Sequence, residues 1–357
     1  MSESLWQKVG PFLSPFAKIY EMGVVLRNFS YDHHLAKVTQ LPVKVISVGN
    51  LTVGGSGKTP VTLSLAKLID NLPSKKKPAI LLRGYRRRGS GFRIVSSGEG
   101  SLCSWEESGD EAQIYARRLK SIPVAVDADR VRGGRALIEQ FSPSVILLDD
   151  GFQHRRLHRD LDIVLLNHRG EYLTDRLLPA GRLRESPGAL KRAHFIVLNR
   201  YQPDDTKSDD FLSHCVETFG EAKIAACRVI PSQCTNLRDG QPFRLDSLRG
   251  KRLIPFCGIA NPESFLETLQ KLDPEIPFLV RFPDHHAYKP RDAGRLADAF
   301  TKNNADYLIT TEKDAVKLGG LFEALPILVL EIEIEWLLGL DNLKGQISGL
   351  FSKTVEN

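Results

Sequence analysis

The chain has 357 residues, 42% hydrophobic and 26% charged, which excludes a disordered or fibrous polypeptide and leaves room for two cores. A formal charge of +6 suits an acidic partner, whether nucleic acid, phosphorylated substrate or anionic membrane, without choosing among them. The five cysteines (Cys103, Cys215, Cys227, Cys234, Cys257) form no Cys-x-x-Cys pair and are odd in number, so reduced thiols are expected rather than disulfides or a zinc site.

At the N-terminus Leu5, Val9, Phe12, Phe16, Tyr20 and Val24 recur at helical spacing, with Trp6, Leu13 and Ile19 widening the face and Lys8, Lys18 and Arg27 interspersed. No run reaches the roughly 18 to 20 apolar residues of a bilayer span. No compact apolar core precedes a small-residue cleavage site. Pro11 and Pro15 are expected to break or kink the helix. Two readings stay open: an amphipathic element in a membrane interface, anchored by Trp6 and the lysines, or a helix packed on its own domain.

From Val43 short apolar runs alternate with helical stretches. Strands are expected at 43–48, 79–82, 124–126, 145–148, 163–166 and 195–198, and helices at 57–69, 110–119 and 130–140. That alternation predicts an α/β fold: a mostly parallel sheet with helices on both faces. After Arg200 the texture changes. Pro203-Asp204-Asp205 and Ser208-Asp209-Asp210 read as exposed linker or capping segments, and 223–229 and 242–245 as extended strands around the turn Asp239-Gly240. A second α/β pattern follows, with strands at 253–256, 278–282, 307–310 and 327–332 and helices from Asn261-Pro262 and over 291–300. The expected division is an N-terminal segment 1–40, a nucleotide-binding domain 41–205, a linker 206–250 and a smaller α/β domain 251–357.

The run Thr52-Val53-Gly54-Gly55-Ser56-Gly57-Lys58-Thr59 fits a P-loop with one departure, Thr52 at the first glycine position. It joins a buried strand to a helix, where backbone N–H groups and a helix N-terminus bind phosphate. Lys58 would reach the β- and γ-phosphates of a nucleotide, and the Thr59 hydroxyl a Mg²⁺ ion. Downstream, Val145–Leu148 ends in Asp149-Asp150, the placement of a metal-side acid beside such a loop. Ser108-Gly109-Asp110-Glu111 has two readings: a capping box of Ser108 with Glu111, or Asp110 as proton acceptor with Glu111 near the metal. His154 and His158 stand four apart in an arginine-rich turn, and solvated histidines are the plainer reading. Asp284-His285 is a loop-borne pair that is either surface or proton-handling. The basic loops at Arg83–Arg88, Arg155–Arg159 and Arg182–Arg184 suit either a phosphorylated substrate or solubility. Interleaved aromatics for nucleic-acid stacking are absent.

These blocks together resemble the tetraacyldisaccharide 4'-kinase family. The resemblance rests on Val48–Pro60, Arg83-Gly84-Tyr85, Gly109-Asp110-Glu111, Asp149–His154, Pro179-Ala180-Gly181 with Arg184-Glu185, Asp284-His285 and Thr311–Asp314, in family order. It implies ATP-dependent phosphorylation of the 4'-hydroxyl of a tetraacylated glucosamine disaccharide 1-phosphate, giving lipid IVA. It implies catalytic roles for Asp110, His285 and Lys58, with Thr52–Thr59 on the nucleotide. Thr59, Glu111, Asp149 and Asp150 would act at or near Mg²⁺, and Arg83, His154 and Arg184 on the substrate. It favours the interfacial N-terminus, at the cytoplasmic face of a bacterial inner membrane, with a lipid substrate, no nucleic acid and no obligate protein partner. The competing reading is a nucleotide-driven switch of metallochaperone type. That reading calls for relay Cys or His pairs or an Asn-Lys-x-Asp signal, and neither is well placed.

Overall fold

A computed structural model describes the backbone of residues 3–55, 57–73 and 75–352, and side chains over the same residues apart from 3–11 and 321. Helix α1 (Glu3–Asp32) runs unbroken through Pro11 and Pro15, against expectation. Each proline deletes one rung, but their four-residue spacing puts both gaps on one side, and Pro15 is exposed. The apolar stripe is split between two faces. Tyr20 and Val24 turn inward, where the Tyr20 hydroxyl donates to the Arg184 carbonyl at 3.0 Å and the Asn28 amide to Glu185 at 2.7 Å. Phe12, Phe16, Ile19, Leu26 and Phe29 face outward, all more than half exposed. The side chains of Leu5, Trp6, Lys8 and Val9 lie outside the described residues.

The first unit follows as β1 (Lys44–Asn50), α2 (Lys58–Asp70), β2 (Pro78–Leu82), β3 (Arg93–Ser96), α3 (Trp105–Ser108), α4 (Asp110–Arg118), β4 (Val124–Val126), α5 (Arg130–Phe141), β5 (Val145–Asp149), β6 (Leu161–Asn167), β7 (Phe195–Asn199) and α6 (Thr206–Phe219). Its strands lie in the order β7-β6-β1-β5-β2-β4-β3, parallel except β3. Alternate residues of β1 serve opposite faces: Ile46 and Val48 pack toward α2 and α4, Val45 toward α5. The segment read as linker at 206–210 opens α6, whose Phe211 and Cys215 are buried against β6 and β7.

The second unit is β8 (Ile224–Asn236), β9 (Pro242–Phe243), β10 (Leu253–Cys257), α7 (Pro262–Gln270), β11 (Val280–Arg281), α8 (Pro290–Lys302), β12 (Tyr307–Thr311), α9 (Glu312–Ala315) and β13 (Ile327–Leu338), followed by α10 (Leu340–Ser352). The hairpin at Asp239-Gly240 forms, but β9 is only two residues long. The main partner of β8 is β13, antiparallel from Ala226↔Leu338 to Asn236↔Leu328. This ribbon joins both units into one 13-stranded sheet, and α10 returns to the first core through Leu343 and Ile347.

Candidate active site

The phosphate cradle is local. At the buried end of β1 the Asn50 amide donates to the Thr52 carbonyl at 2.9 Å and hydroxyl at 3.0 Å. Lys58 opens α2 and donates to Asn50 Oδ1 at 3.1 Å. The loop between them is pinned from outside: Val53 N donates to the Arg182 carbonyl at 2.8 Å, and Thr52 bridges Leu183. Gly54 (φ 104°) and Gly57 (φ 73°) hold left-handed backbone, and a Cβ on Gly57 would collide with the Asn199 amide at the end of β7. Gly55 approaches Ala260 of the second unit. Ser56 lies outside the described residues.

The two acids at the end of β5 part company. Asp149 is 3% exposed; its Oδ2 accepts from the Tyr115 hydroxyl at 2.8 Å and the Thr59 hydroxyl at 3.4 Å. Its Oδ1 is buried without a partner. Burial, then repulsion from Glu111, pushes the Asp149 carboxyl up to about 7, and burial raises Glu111 as well. Asp150, in left-handed backbone (φ 57°), accepts from Arg184 Nη1 at 2.9 and 2.7 Å and lies 3.5 Å from Lys58 Nζ. Burial opposes its ionisation, yet Lys58 and Arg184 hold it below the usual carboxylate range. Among the described residues no group of three or more His, Cys, Asp or Glu side chains can enclose a metal by itself. A buried, orphaned carboxylate oxygen beside Thr59 and Glu111 nevertheless fits a cation whose remaining ligands come from phosphate.

The proton-handling group crosses between units. The Ser108–Glu111 capping box does not form, because Gly109 (φ 87°, ψ 152°) turns the chain between α3 and α4. The box sits one turn earlier, with Glu107 accepting from Ser104 N at 3.1 Å. Asp110, freed from capping, lies 2.8 Å by Oδ2 from His285 Nδ1. Burial works against its charge, but the His285 hydrogen bond and Lys313 keep its carboxyl below the usual range. His285 stands in left-handed backbone (φ 60°), anchored by its N–H to the Gly258 carbonyl at 3.0 Å. Its Nε2 lies 3.3 Å from Lys313 Nζ, which also donates to Asp284 Oδ1 at 3.3 Å. Lys317, 7% exposed, bonds Asp314 at 2.9 Å and approaches Asp110 at 3.8 Å. Arg86 donates to the Asp284 carbonyl at 3.1 Å.

Three expected substrate residues lie on the first unit. Arg184 is bound to Asp150, and Arg83 leaves β2 exposed. His154 sits in a turn, not a helix, so it shares no helix face with the exposed His158. Its Nε2 is buried without a partner, and burial, then Arg130, lowers its pKa to about 4. Sequence reasoning missed Tyr115, Arg130 and Lys317. Arg130 is 3% exposed, and burial lowers it to about 10 despite Asp150 and Asp149.

A family model described as LpxK, tetraacyldisaccharide-1-P 4'-kinase, matches residues 9–351. The chain is 39% identical over 350 residues to the tetraacyldisaccharide 4'-kinase of Syntrophus aciditrophicus, covering 92% of both chains. It is 38% identical over 323 residues to that of Aquifex aeolicus, covering 90% of this chain and 94% of the other. A crystal structure of "apo" form LpxK from Aquifex aeolicus in complex with ATP superposes with a TM-score of 0.79 at 35% identity, over 96% of this chain and 99% of that one.

Proposed function

The chain belongs to the tetraacyldisaccharide-1-P 4'-kinase family, and from that premise we propose how its cleft transfers phosphate. The enzyme is a kinase of lipid A biosynthesis: it moves the γ-phosphate of ATP to the 4'-hydroxyl of tetraacyldisaccharide 1-phosphate, forming lipid IVA. Thr52–Thr59 and the N-terminus of α2 hold the triphosphate, and Lys58 neutralises the transferring group. Asp110, kept ionised, takes the proton from the acceptor hydroxyl as it attacks. His285 fixes the rotamer of Asp110, and Lys313 keeps the pair in a cationic field. Thr59, Glu111 and Asp149 would hold Mg²⁺, with Asp150 beside them; the ion would supply charge neutralisation on the phosphates. Support for the ion is the orphaned Asp149 oxygen and its repulsion with Glu111.

Arg83, the neutral His154 and Arg184 line the acceptor side. Closure of the two units about the β8–β13 ribbon excludes water, the competing acceptor. No described helix is long and apolar enough to cross a membrane. The outward face of α1 lies in the cytoplasmic surface of the inner membrane, and its inward face is bonded to Arg184 and Glu185, so the lipid interface and the site share one support.

The observation that carries this reading is the 2.8 Å Asp110–His285 contact in the cleft that holds Lys58. A conformational ATPase has no use for a base aimed at an acceptor. A metallochaperone needs accessible thiols, whereas Cys215, Cys227, Cys234 and Cys257 are buried, with burial pushing each up to about 12. The test is Asp110→Asn, which keeps shape and removes the carboxylate's charge and basicity. Transfer to the acylated disaccharide should fall ~10²–10⁴-fold with nucleotide affinity within severalfold. Undiminished transfer would remove the proposed base.

A further inference from the structure

We propose that Arg118 is a positioning residue: by gripping Glu312 at the far end of α4, it holds the His285–Lys313 face of the second unit against Asp110. The inference rests on the reading of Asp110, His285 and Lys313 as the transfer group.

Helix α4 has nine residues, about 13 Å in length, and meets the second unit at both ends. Asp110 is its first residue and Arg118 its last. Arg118 Nη1 donates to both carboxylate oxygens of Glu312, at 3.0 and 3.1 Å, and lies 3.1 Å from Glu331. Its Nη2 donates to Glu333 at 3.1 Å. Glu312 is the first residue of α9, immediately before Lys313, and Glu331 and Glu333 lie on β13. One guanidinium therefore ties the Asp110 helix both to the turn presenting Lys313 and to the ribbon joining the units.

The grip is sheltered. The Arg118 and Glu312 side chains are 11% and 15% exposed, against 43% and 45% for the neighbouring Lys67–Glu333 pair. Behind α4, Arg118, Glu312 and Glu331 share a cavity of about 160 Å³ with the apolar side chains of Ile114, Val316 and Val329, so the ion pairs supplement an apolar contact that is not tightly filled. Arg118 also faces a surplus of carboxylate. Its loss leaves Glu312 and Glu331, both poorly exposed, facing each other, while Glu333 keeps Lys67. Their repulsion would push Glu312 off β13, and Lys313 with it. A lysine cannot reproduce a planar fork serving several carboxylates at once.

The experiment uses the full-length enzyme with ATP and the acylated disaccharide acceptor. It compares Arg118→Gln, Arg118→Lys, Glu312→Gln, the double Gln variant and Asp110→Asn. The expected result is ~10–50-fold lower kcat in Arg118→Gln and Glu312→Gln, with KM for ATP within about twofold. The double variant should be no worse than either single, and Arg118→Lys intermediate. Partial unfolding alone would lower kcat only in proportion to the folded fraction, read by circular dichroism on the same samples. Glu312→Gln removes an excess acid and so remains informative if Arg118→Gln does not fold. Wild-type kcat in Arg118→Gln, or additive losses in the double variant, would each overturn the latch. Wild-type activity in Asp110→Asn would instead overturn the reading beneath it.

Discussion

The phosphate cradle and the proton-handling group solve different problems with the same residue types. The cradle is built mainly from β1, its loop, α2 and the adjoining end of β5, with the loop pinned by the Arg182–Leu183 backbone of the same unit. The proton-handling group joins Asp110 to His285, 175 positions away, and to Lys313 and Lys317 beyond. The electrostatics diverge too. Asp149 is raised because burial and Glu111 oppose its charge, whereas Asp110 is lowered because His285, Lys313 and Lys317 overcome its burial. Asp149 meets burial and a second acid, whereas Asp110 has its cations built in, provided the two units stay in contact. One site is assembled within the first unit, the other is conditional on domain placement.

Breaking the cradle should have the largest effect. Lys58→Ala removes the cation that faces Asp150 and the phosphates, and kcat/KM should fall ~10³-fold or more with weaker nucleotide binding. Breaking the conditional site should hurt chemistry and spare binding. Lys313→Met leaves the loop intact but strips a cation from Asp110, so kcat should fall ~10–10²-fold at unchanged nucleotide affinity. The sign of the pH effect follows: Asp110 loses part of what lowers its pKa, so the acid limb of kcat/KM rises in pH. An unshifted limb would exclude Lys313 from the field around the base.

The same contrast explains what was legible in the sequence. The P-loop and Asp149-Asp150 were readable because each is a contiguous signal at a strand end. Asp110 was readable only as one of two alternatives, since the residue that rules out the cap is Gly109, through its dihedrals. Lys317, Tyr115 and Arg118 carried no signal, because their partners are set by packing across the fold. The long strands were read at half length. β8 contains Pro231, which ends a strand pattern; in the fold it sits opposite a register shift at Glu331/Ile332. β13 beyond Ile332 alternates glutamate with apolar residues, and arginines of α4 and β8 answer two of those acids. The helix through Pro11 and Pro15 was misjudged because the solvent side tolerates missing rungs that a buried side would not.

Opposite pKa shifts give opposite stability profiles in the ligand-free protein. Asp149 is held at about 7 when folded, against about 3.9 unfolded. Its folded state binds the proton more tightly, so its contribution is full below pH ~4 and is lost as pH climbs through ~7, with a slope of at most about 1.4 kcal/mol per unit. Asp110, lowered on folding, contributes above its ordinary range and loses that contribution as pH falls. Urea denaturation of Asp149→Asn should therefore show a flatter decline between pH 5 and 8 than wild type. A parallel decline in both would mean that Asp149 is not the strained acid.

Helix α1 sharpens the comparison at the smallest scale, because its two faces belong to different problems. Serine at Phe16, Ile19 and Leu26 on the outward face removes apolar area without touching a described contact of the site. Partitioning to anionic vesicles should drop about fivefold per side chain, with kcat on detergent-dispersed acceptor within about twofold. Tyr20→Phe on the inward face does the reverse. It leaves the outward surface alone but frees the Arg184 carbonyl, and Arg184 is the partner that turns Asp150 away from Asp149. Vesicle binding should be unchanged and kcat reduced only about two- to threefold, since one neutral hydrogen bond is lost. If Tyr20→Phe moved vesicle binding and the serine variants moved kcat instead, the assignment of the two faces would be inverted, and α1 would belong to the cleft rather than to the membrane surface.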